Sequence, residues 1–168
     1  LAVGETRDEM FEAVAWAAPL LPADRPRYFM GIGDPEGILA VIARGIDMFD
    51  CVLPTRTART GSALTREGRL NLRNARFARD SRPLQEDCPC RACTRFSRAY
   101  LRHLVNQQEI LGLVLLSEHN IRFLLDLTAE ARAAVERGGL EAFKASALER
   151  LAEAPPEETA PGWAAPHA

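Results

Sequence analysis

Three cysteines and a histidine form the group of residues with the clearest chemical meaning. Cys88, Cys90 and Cys93 lie within six consecutive positions, and His119 follows further along the chain. Zinc prefers thiolate and imidazole ligands, and four of them complete its tetrahedral shell. The spacing therefore predicts one structural Zn²⁺ ion, with no open coordination position for a catalytic water.

Sequence alone leaves other arrangements of this group open. His103 competes with His119 for the fourth position, although it lies in the middle of a predicted helix, and His167 lies in the C-terminal tail. A reduced, buried cysteine cluster without metal, or a partial disulfide, would also explain the three thiols. The close spacing suits a metal better than a set of disulfides, and it favours a cytosolic compartment.

A carboxylate at the end of an apolar run is the second candidate for chemistry. Asp50 lies in such a run, which stops at Pro54, and its apolar neighbours predict apolar surroundings. A carboxylate there is costly unless it is paired or used. Asp50 is therefore either a structural residue that caps a loop or pairs with Arg56, or a nucleophile at a sugar carbon. Sugar chemistry of that kind normally needs a second carboxylic acid, and none is evident upstream of Asp50.

Arginine is concentrated between this carboxylate and the cysteines. Residues 56–82 contain eight arginines and two acidic residues, in a chain whose formal net charge is −2. The overall charge argues against bulk non-specific binding of nucleic acid, but a local basic patch is compatible with it. Guanidinium groups suit phosphates and guanine edges, and Tyr28 and Phe77 could stack on bases. The stretch is either a solvated face or an RNA contact.

The elements that must position these residues alternate between strands and helices at the N-terminal end. The pattern predicts an amphipathic helix over residues 6–20 and a short strand over residues 27–33. A helix then begins at Asp34 or Pro35 and ends near Gly45, and a second strand covers residues 48–53. Helices and short strands in alternation are typical of a parallel α/β sheet or barrel.

The remainder of the chain is predicted to be mainly helical. We expect a hairpin within residues 61–71, a helix from Ser97, and a separate helix with Ser117 as its N-cap and His119 near its start. Gly138 and Gly139 should end that helix before a terminal helix over residues 140–151. The tail from residue 153 is rich in Ala, Pro and Glu and is expected to be disordered.

Length and composition set the outer limits. A chain of 168 residues can hold one ordinary domain with a real core, and its apolar and charged fractions are those of a soluble globular protein. No apolar run approaches the ~20 residues that a membrane span needs. The first residues lack the pattern of a signal peptide and an initiator Met, as expected of a piece of something larger.

Several motifs together resemble one enzyme family. They occupy residues 27–33, 44–56, 68–76, 88–93, 97–103 and 118–120, and they follow one another in order. This series resembles the bacterial tRNA-guanine transglycosylases, also called queuine tRNA-ribosyltransferases. The resemblance implies an α/β fold: the C-terminal part of a TIM (β/α)8 barrel, with a zinc-binding subdomain and C-terminal helices.

The resemblance also implies an activity and its partners. Such enzymes exchange the anticodon wobble guanine of a tRNA with a GUN anticodon for the 7-deazaguanine preQ1, on the route to queuosine. A homodimer, a cytoplasmic location and no membrane are expected with it. The implied domains are residues 1–54 as the last βα units of the barrel, residues 55–120 as a tRNA- and zinc-binding insertion, residues 121–151 as C-terminal helices and residues 152–168 as a disordered tail.

Site residues follow from the same resemblance. Asp50 matches the nucleophile that attacks ribose C1′, and the zinc ligands match Cys88, Cys90, Cys93 and His119. The residues expected against the base are Leu1, Ala2, Tyr28 and Met30. Two loops are expected to hold the tRNA, and their residues are Gly31, Ile32, Gly33, Asp34, Pro35, Glu36 and Gly37 in the first and Thr55, Arg56, Thr57, Ala58 and Arg59 in the second.

The chain is short for that family. Members are about twice as long, and a segment with only the last strands cannot close a (β/α)8 barrel. We therefore expect a C-terminal fragment that lacks the second catalytic carboxylate and is inactive alone. The alternative is a zinc-stabilised tRNA-binding module, or an accessory paralogue, without catalysis.

Overall fold

The computed structural model describes residues 6–152, which form a mixed α/β structure with two compact units. The first unit contains the described residues up to Pro54 together with Leu124–Glu149. The second unit contains Thr55–Phe123 and the described residues from Arg150 onwards.

The first unit begins with the expected amphipathic helix. Helix α1 spans Arg7–Ala17 and continues into a 3₁₀ turn at Ala18–Leu20. Thr6 caps it by accepting a hydrogen bond from the Glu9 backbone N–H, and the Glu9 carboxylate accepts one from the Thr6 N–H. This reciprocal pair satisfies two N–H groups that the helix start would otherwise leave unpaired.

Two short parallel strands follow, joined by a helix. Strand β1 spans Tyr28–Met30, helix α2 spans Pro35–Ile42 and strand β2 spans Met48–Asp50. The register places Met30 opposite Asp50. The alternation of strands and helices predicted from the sequence is confirmed, but a closed barrel is not present among residues 6–152, where this parallel sheet has two strands.

The second strand ends earlier than predicted. It stops at Asp50, because Leu53 and Pro54 already belong to helix α3, Leu53–Arg59. Proline is well tolerated in the first turn of a helix, where its missing N–H would be unpaired anyway. Residues 55–59, expected as a loop, are therefore helical.

Two apolar clusters stabilise the first unit. One joins α1 to the sheet and α2, and its buried members are Val14, Ala18, Phe29, Ile32, Val41 and Ile46. The other packs Leu39 of α2 against residues of the two C-terminal helices, Leu127, Ala131 and Ala147. Each cluster removes apolar surface from water, which is the main favourable term in folding.

The second unit starts with the predicted hairpin. Strands β3, Ser62–Thr65, and β4, Gly68–Asn71, pair antiparallel through a two-residue turn. Beyond a 3₁₀ turn at Ala75–Phe77 lie helices α4, Arg91–Arg95, and α5, Arg98–Asn106. Ser97 caps α5 by accepting a hydrogen bond from the Tyr100 N–H at 3.2 Å, which confirms the helix start expected at Ser97.

The prediction that a new helix begins at Ser117 is wrong. Helix α6 runs without interruption over Ile110–Glu136, and the Ser117 hydroxyl donates to the Leu113 carbonyl at 2.8 Å. A serine hydroxyl can bond back to its own helix in this way, so its presence does not mark a helix start. The break at Gly138 is confirmed, and α7 follows over Leu140–Ala152.

Some expectations fall outside the described residues. These are the expected base contacts of Leu1 and Ala2 and the disordered tail from residue 153. Among the helices that the structure describes, none combines the length and the hydropathy that crossing a membrane requires.

Candidate metal centre and carboxylate site

The three cysteines are gathered by a turn and the start of a short helix. The Cys88 N–H donates to the Gln85 carbonyl at 3.4 Å, Cys90 is the N-cap of α4, and Cys93 lies inside α4. Cys88 and Cys90 are buried, Cys93 is half-buried, and none of the three is in a disulfide. A chain that turns this tightly brings three sulfur atoms to one point without help from distant segments.

His119 supplies the fourth ligand atom from α6. Its Nδ1 lies 3.7, 3.5 and 3.3 Å from the Sγ atoms of Cys88, Cys90 and Cys93. The four candidate ligand atoms all lie within 4.8 Å of one another. His119 is in the interior of α6 rather than at a helix start, and it is completely buried, whereas its competitor His103 is exposed.

The geometry fits zinc. Bond lengths of about 2.3 Å to sulfur and about 2.0–2.1 Å to nitrogen at tetrahedral angles place sulfur and nitrogen about 3.6 Å apart. The observed Sγ–Nδ1 distances scatter around that value. Three cysteines and one histidine fill the shell, so the ion that they hold is structural, with no ligand position left for substrate.

The second nitrogen of His119 is also fixed. Nε2 lies 2.8 Å from the carbonyl oxygen of Leu64 on β3, and this contact requires the ring proton on Nε2. Nδ1 then presents its lone pair to the ion. Histidine ligands in proteins usually donate their other N–H to a carbonyl or carboxylate, which fixes both tautomer and orientation.

The four side chains of the cluster shift one another's pKa values. The hydrogen bond between Cys93 and Cys90 lowers the pKa of Cys90 and raises the pKa of Cys93. Burial favours the neutral imidazole, but the sulfur atoms of Cys88 and Cys90 outweigh it and raise the pKa of His119 to about 9. A positive charge is thus favoured at this point, and Zn²⁺ provides it when bound.

The residues on either side of His119 secure the same centre, and sequence reasoning missed both. Glu118 accepts a hydrogen bond from the Arg91 N–H at 3.2 Å and pairs with the Arg91 guanidinium at 3.0 Å. Asn120 is completely buried and bonded to β3. The available signal was a run of four polar residues, 117–120, within an apolar helix, since a buried polar side chain needs partners.

Asp50 ends the second parallel strand, and its carboxylate has two partners. The Tyr28 hydroxyl donates to Oδ1 at 2.6 Å, and the Gly31 N–H lies 3.3 Å from the same oxygen. The hydrogen bond to Asp50 raises the pKa of Tyr28, because ionisation of the tyrosine would remove the proton that the carboxylate accepts. Asp50 is thus held by Tyr28 and Gly31 rather than by Arg56.

The apolar neighbours predicted for Asp50 are present, but within the described residues they do not bury it. Asp50 is exposed, and so are the neighbouring apolar side chains of the sheet: Tyr28 at 49%, Met30 at 69% and Met48 at 52%. Tyr28 and Met30, both expected against the base, lie on β1 beside the carboxylate strand. A parallel sheet is normally covered on both faces, so this face is an unusual one to leave open.

The first predicted tRNA-binding loop is tightly built. Asp34 caps α2 by accepting a hydrogen bond from the Gly37 N–H at 2.7 Å, and it pairs with Arg7. A Cβ added at Gly33 would lie 1.7 Å from the Cys51 sulfur. Ile32, Gly33 and Gly37 are buried, so they shape this surface, whereas Gly31 and Glu36 are exposed on it and Pro35 is half-buried.

The second predicted tRNA-binding segment lies on α3. Arg56 and Arg59 are exposed, Thr55 and Thr57 are half-buried, and Ala58 is completely buried in the core of the second unit. The structure therefore brings the zinc ligands together, and separately Asp50 with Tyr28. Leu1 and Ala2 lie outside the described residues.

Many of the remaining arginines have partners within the second unit. The Asp80 carboxylate lies 2.8 Å from Arg82 and 3.4 Å from Arg98, while the Arg76 guanidinium lies 4.7 Å from the centre of the Phe77 ring. These residues line a cavity of about 400 Å³. Part of the arginine excess is thus used to organise the chain rather than left on a free surface.

Comparison with known proteins decides the family. A sequence model described as queuine tRNA-ribosyltransferase matches residues 1–153. The chain belongs to this family. Its relatives in the family include a queuine tRNA-ribosyltransferase of Thermus thermophilus, which is 57% identical over 138 residues, a match that covers 82% of this chain and 36% of that protein.

Two further family members give the same result. The queuine tRNA-ribosyltransferase of Pelotomaculum thermopropionicum is 52% identical over 86% of this chain and 39% of that protein. The one from Bacillus subtilis is 48% identical over 89% of this chain and 39% of that protein. This chain thus spans less than two fifths of the length of these relatives.

Proposed function

We propose that this chain is part of a tRNA-guanine transglycosylase, a pentosyltransferase that exchanges the wobble guanine of a GUN anticodon for preQ1 in queuosine biosynthesis. The observation that carries the proposal is Asp50 at the carboxyl end of a parallel strand, with one oxygen hydrogen-bonded by Tyr28 and Gly31. Catalytic residues of (β/α)8 barrels lie at that end of their strands.

Asp50 would act as the nucleophile. Its other carboxylate oxygen forms a bond to ribose C1′ while the bond from C1′ to guanine N9 breaks, and guanine leaves with a proton from an acid. The incoming base then attacks C1′ through its own N9, loses its proton and releases the carboxylate. This sequence resembles that of a retaining glycosidase, with a base in place of water.

The scaffold is the proposed C-terminal part of a TIM barrel. Support comes from the parallel pairing of β1 with β2 and from the exposed apolar face that carries Tyr28, Met30 and Met48. Further strands would cover that face. In this proposal the remaining length of the relatives provides those strands and the acid that protonates guanine.

The binding surfaces follow the same proposal. Tyr28 and Met30, with Leu1 and Ala2, would lie against the base. The two segments over residues 31–37 and 55–59 would hold the tRNA, and the exposed guanidinium groups of Arg56 and Arg59 suit its phosphates. We include a homodimer and a cytoplasmic location in the proposal on family grounds.

Guanine exchange tests this proposal. The intact natural protein that contains this sequence is incubated with labelled guanine and a tRNA with a GUN anticodon, and the label retained in the tRNA is measured. Asp50→Asn should abolish incorporation. Asp47→Asn is the matched control, since Asp47 accepts a hydrogen bond from the Arg27 N–H at 2.8 Å and has no proposed chemical role. Incorporation by Asp50→Asn at the wild-type rate would refute the proposal.

A second function is favoured by one observation. Within residues 6–152, the groups bonded to the Asp50 carboxylate are a hydroxyl and an amide, and a second carboxylic acid is not among them. A zinc-stabilised tRNA-binding module, such as an accessory paralogue, needs no such acid. Binding of tRNA by the intact protein, with no guanine exchange under any condition that preserves zinc, would favour this module.

A further inference from the structure

Asn120 connects the metal centre to helix α3. Its side chain is completely buried, and both its oxygen and its nitrogen are hydrogen-bonded. Oδ1 accepts from the Leu64 N–H at 2.8 Å, and Nδ2 donates to the Ser62 carbonyl at 3.0 Å and to the Thr57 hydroxyl at 3.2 Å. Desolvating an amide is costly unless its donors and acceptors are paired, and here they are.

Two consecutive residues of α6, His119 and Asn120, bond to the two backbone groups of Leu64 on β3. The His119 ring donates to the Leu64 carbonyl at 2.8 Å, while Asn120 accepts from the Leu64 N–H. A shift of the His119 ring therefore moves β3, to which Asn120 is also hydrogen-bonded. Fully bonded buried networks of this kind transmit position because they admit one arrangement.

Helix α3 needs support from the rest of the protein. It has seven residues, and helices this short are unstable in isolation. Ala58 anchors one side in the core, and the Asn120–Thr57 hydrogen bond holds the residue before it. Arg56 and Arg59 are exposed on the same short helix, so its orientation sets where their charges point.

We propose that Asn120 is a positioning residue that couples the zinc centre to α3 and so orients Arg56 and Arg59 for tRNA. The tRNA part of this inference rests on the proposed function. The link itself does not, because it consists of contacts within the second unit. Zinc binding and tRNA affinity are then connected through one amide and one hydroxyl.

The sharpest test removes the hydroxyl and leaves the metal ligands untouched. Thr57→Val in the intact, zinc-loaded protein keeps the side-chain shape, and Thr57→Ser restores the acceptor. One lost hydrogen bond is worth about 1 kcal/mol, which corresponds to about a fivefold effect. We expect backbone amides of α3 to exchange with solvent about fivefold faster in Thr57→Val, and KM for a GUN-anticodon tRNA to rise about fivefold with kcat unchanged.

Controls separate this role from general loss of structure. Zinc should stay at one ion per chain in Thr57→Val, and Thr57→Ser should return the amide exchange of α3 to the wild-type rate. Thr60→Val is a matched variant on the same segment, since the Thr60 hydroxyl donates to the Thr57 carbonyl and not to Asn120. Adding Thr57→Val to Asn120→Ala should change α3 exchange no further, because both remove the same contact.

The outcomes are distinguishable. Unchanged amide exchange in Thr57→Val would overturn the coupling, whatever happens to tRNA affinity. Faster exchange with unchanged KM would overturn the orienting role towards tRNA. A wild-type protein that binds no tRNA would refute the proposed function and the tRNA part of this inference, while amide exchange would still decide the coupling.

Discussion

At the metal centre His119 is completely buried and both of its ring nitrogens have partners, whereas Asp50 is exposed and has partners on one oxygen. The zinc ligands come from one turn and two helices, α4 and α6, within the second unit. The carboxylate lies on a two-stranded parallel sheet with an open apolar face.

The difference follows from what each site must be built from. A tetrahedral metal site needs four ligand atoms and their supports, and residues 64–120 supply them. The proposed barrel active site would be assembled from the ends of several strands, whereas the parallel sheet described within residues 6–152 has two. Metal binding is therefore expected of this chain, while the chemistry proposed for Asp50 would need the ends of further strands.

The metal centre should be the region most sensitive to substitution. Cys93→Ser should lose zinc and unfold the second unit, because structural zinc provides about 10 kcal/mol or more of folding free energy. Metal analysis and thermal unfolding measure both. Cys51→Ser is the matched control, since Cys51 is a free cysteine outside the cluster, and it should keep the ion. A metal-free wild-type protein that is fully folded would contradict the structural role of this centre.

Gly33 packs against Cys51, the residue that follows Asp50, so this position should not tolerate a larger side chain although Asp50 itself is exposed. Gly33→Ala should destabilise the protein by about 2–3 kcal/mol, because the new Cβ would overlap the Cys51 sulfur. Denaturant unfolding measures the loss. Gly139→Ala is the control, since its nearest neighbour would be 4.0 Å away, and a similar loss there would show that the effect is not one of packing.

Tyr28→Phe tests whether the Tyr28 hydroxyl holds Asp50 in position. The change removes the hydroxyl that donates to Oδ1 and keeps the ring that is expected against the base. Loss of one charge-assisted hydrogen bond of about 1.5 kcal/mol should slow guanine exchange about tenfold through kcat. Steady-state kinetics of the intact protein test this, and a rise in KM alone would assign Tyr28 to base binding only.

The smallest effect concerns the electrostatics of the second unit. Hydrogen bonds from Arg82 lower the pKa of Asp80 from 3.8 to about 2, so the unfolded chain binds this proton more readily than the folded one. The resulting stabilisation is complete above about pH 4 and is lost as the pH falls through about 2. Asp80→Asn should cost about 1 kcal/mol at pH 7, a figure reduced because Arg82 is exposed to water. The free energies of unfolding of variant and wild type, measured at pH 7 and at pH 2, check this prediction. A difference between them that is as large at pH 2 as at pH 7 would contradict this explanation.

Much of the fold could be predicted because the signals are local. The helix start at Asp34 or Pro35, the hairpin and the glycine break at Gly138 each depend on a few neighbouring residues. Ser117 was misread because a serine hydroxyl can bond to its own helix as well as cap one. The strand through residue 53 was predicted too long, since an apolar run does not reveal where a proline begins a helix.

The sites divide in the same way. Close cysteine spacing specified most of the metal centre, and the sequence left His119 or His103 open as the fourth ligand. The supports at Leu64 and Asn120 could not be read from spacing, because their contacts join residues more than fifty positions apart. The exposure of Asp50 was missed because apolar neighbours in sequence do not reveal which surfaces another part of the protein covers.

Trapping the covalent intermediate tests whether Asp50 is the nucleophile. The intact protein is mixed with a GUN-anticodon tRNA, denatured and digested, and the protein site joined to the RNA is mapped by mass spectrometry. We predict a ribose-linked peptide at Asp50, absent in Asp50→Asn and present in Asp47→Asn. An adduct on another residue, or guanine exchange that proceeds in Asp50→Asn, would contradict the role of Asp50 as the nucleophile.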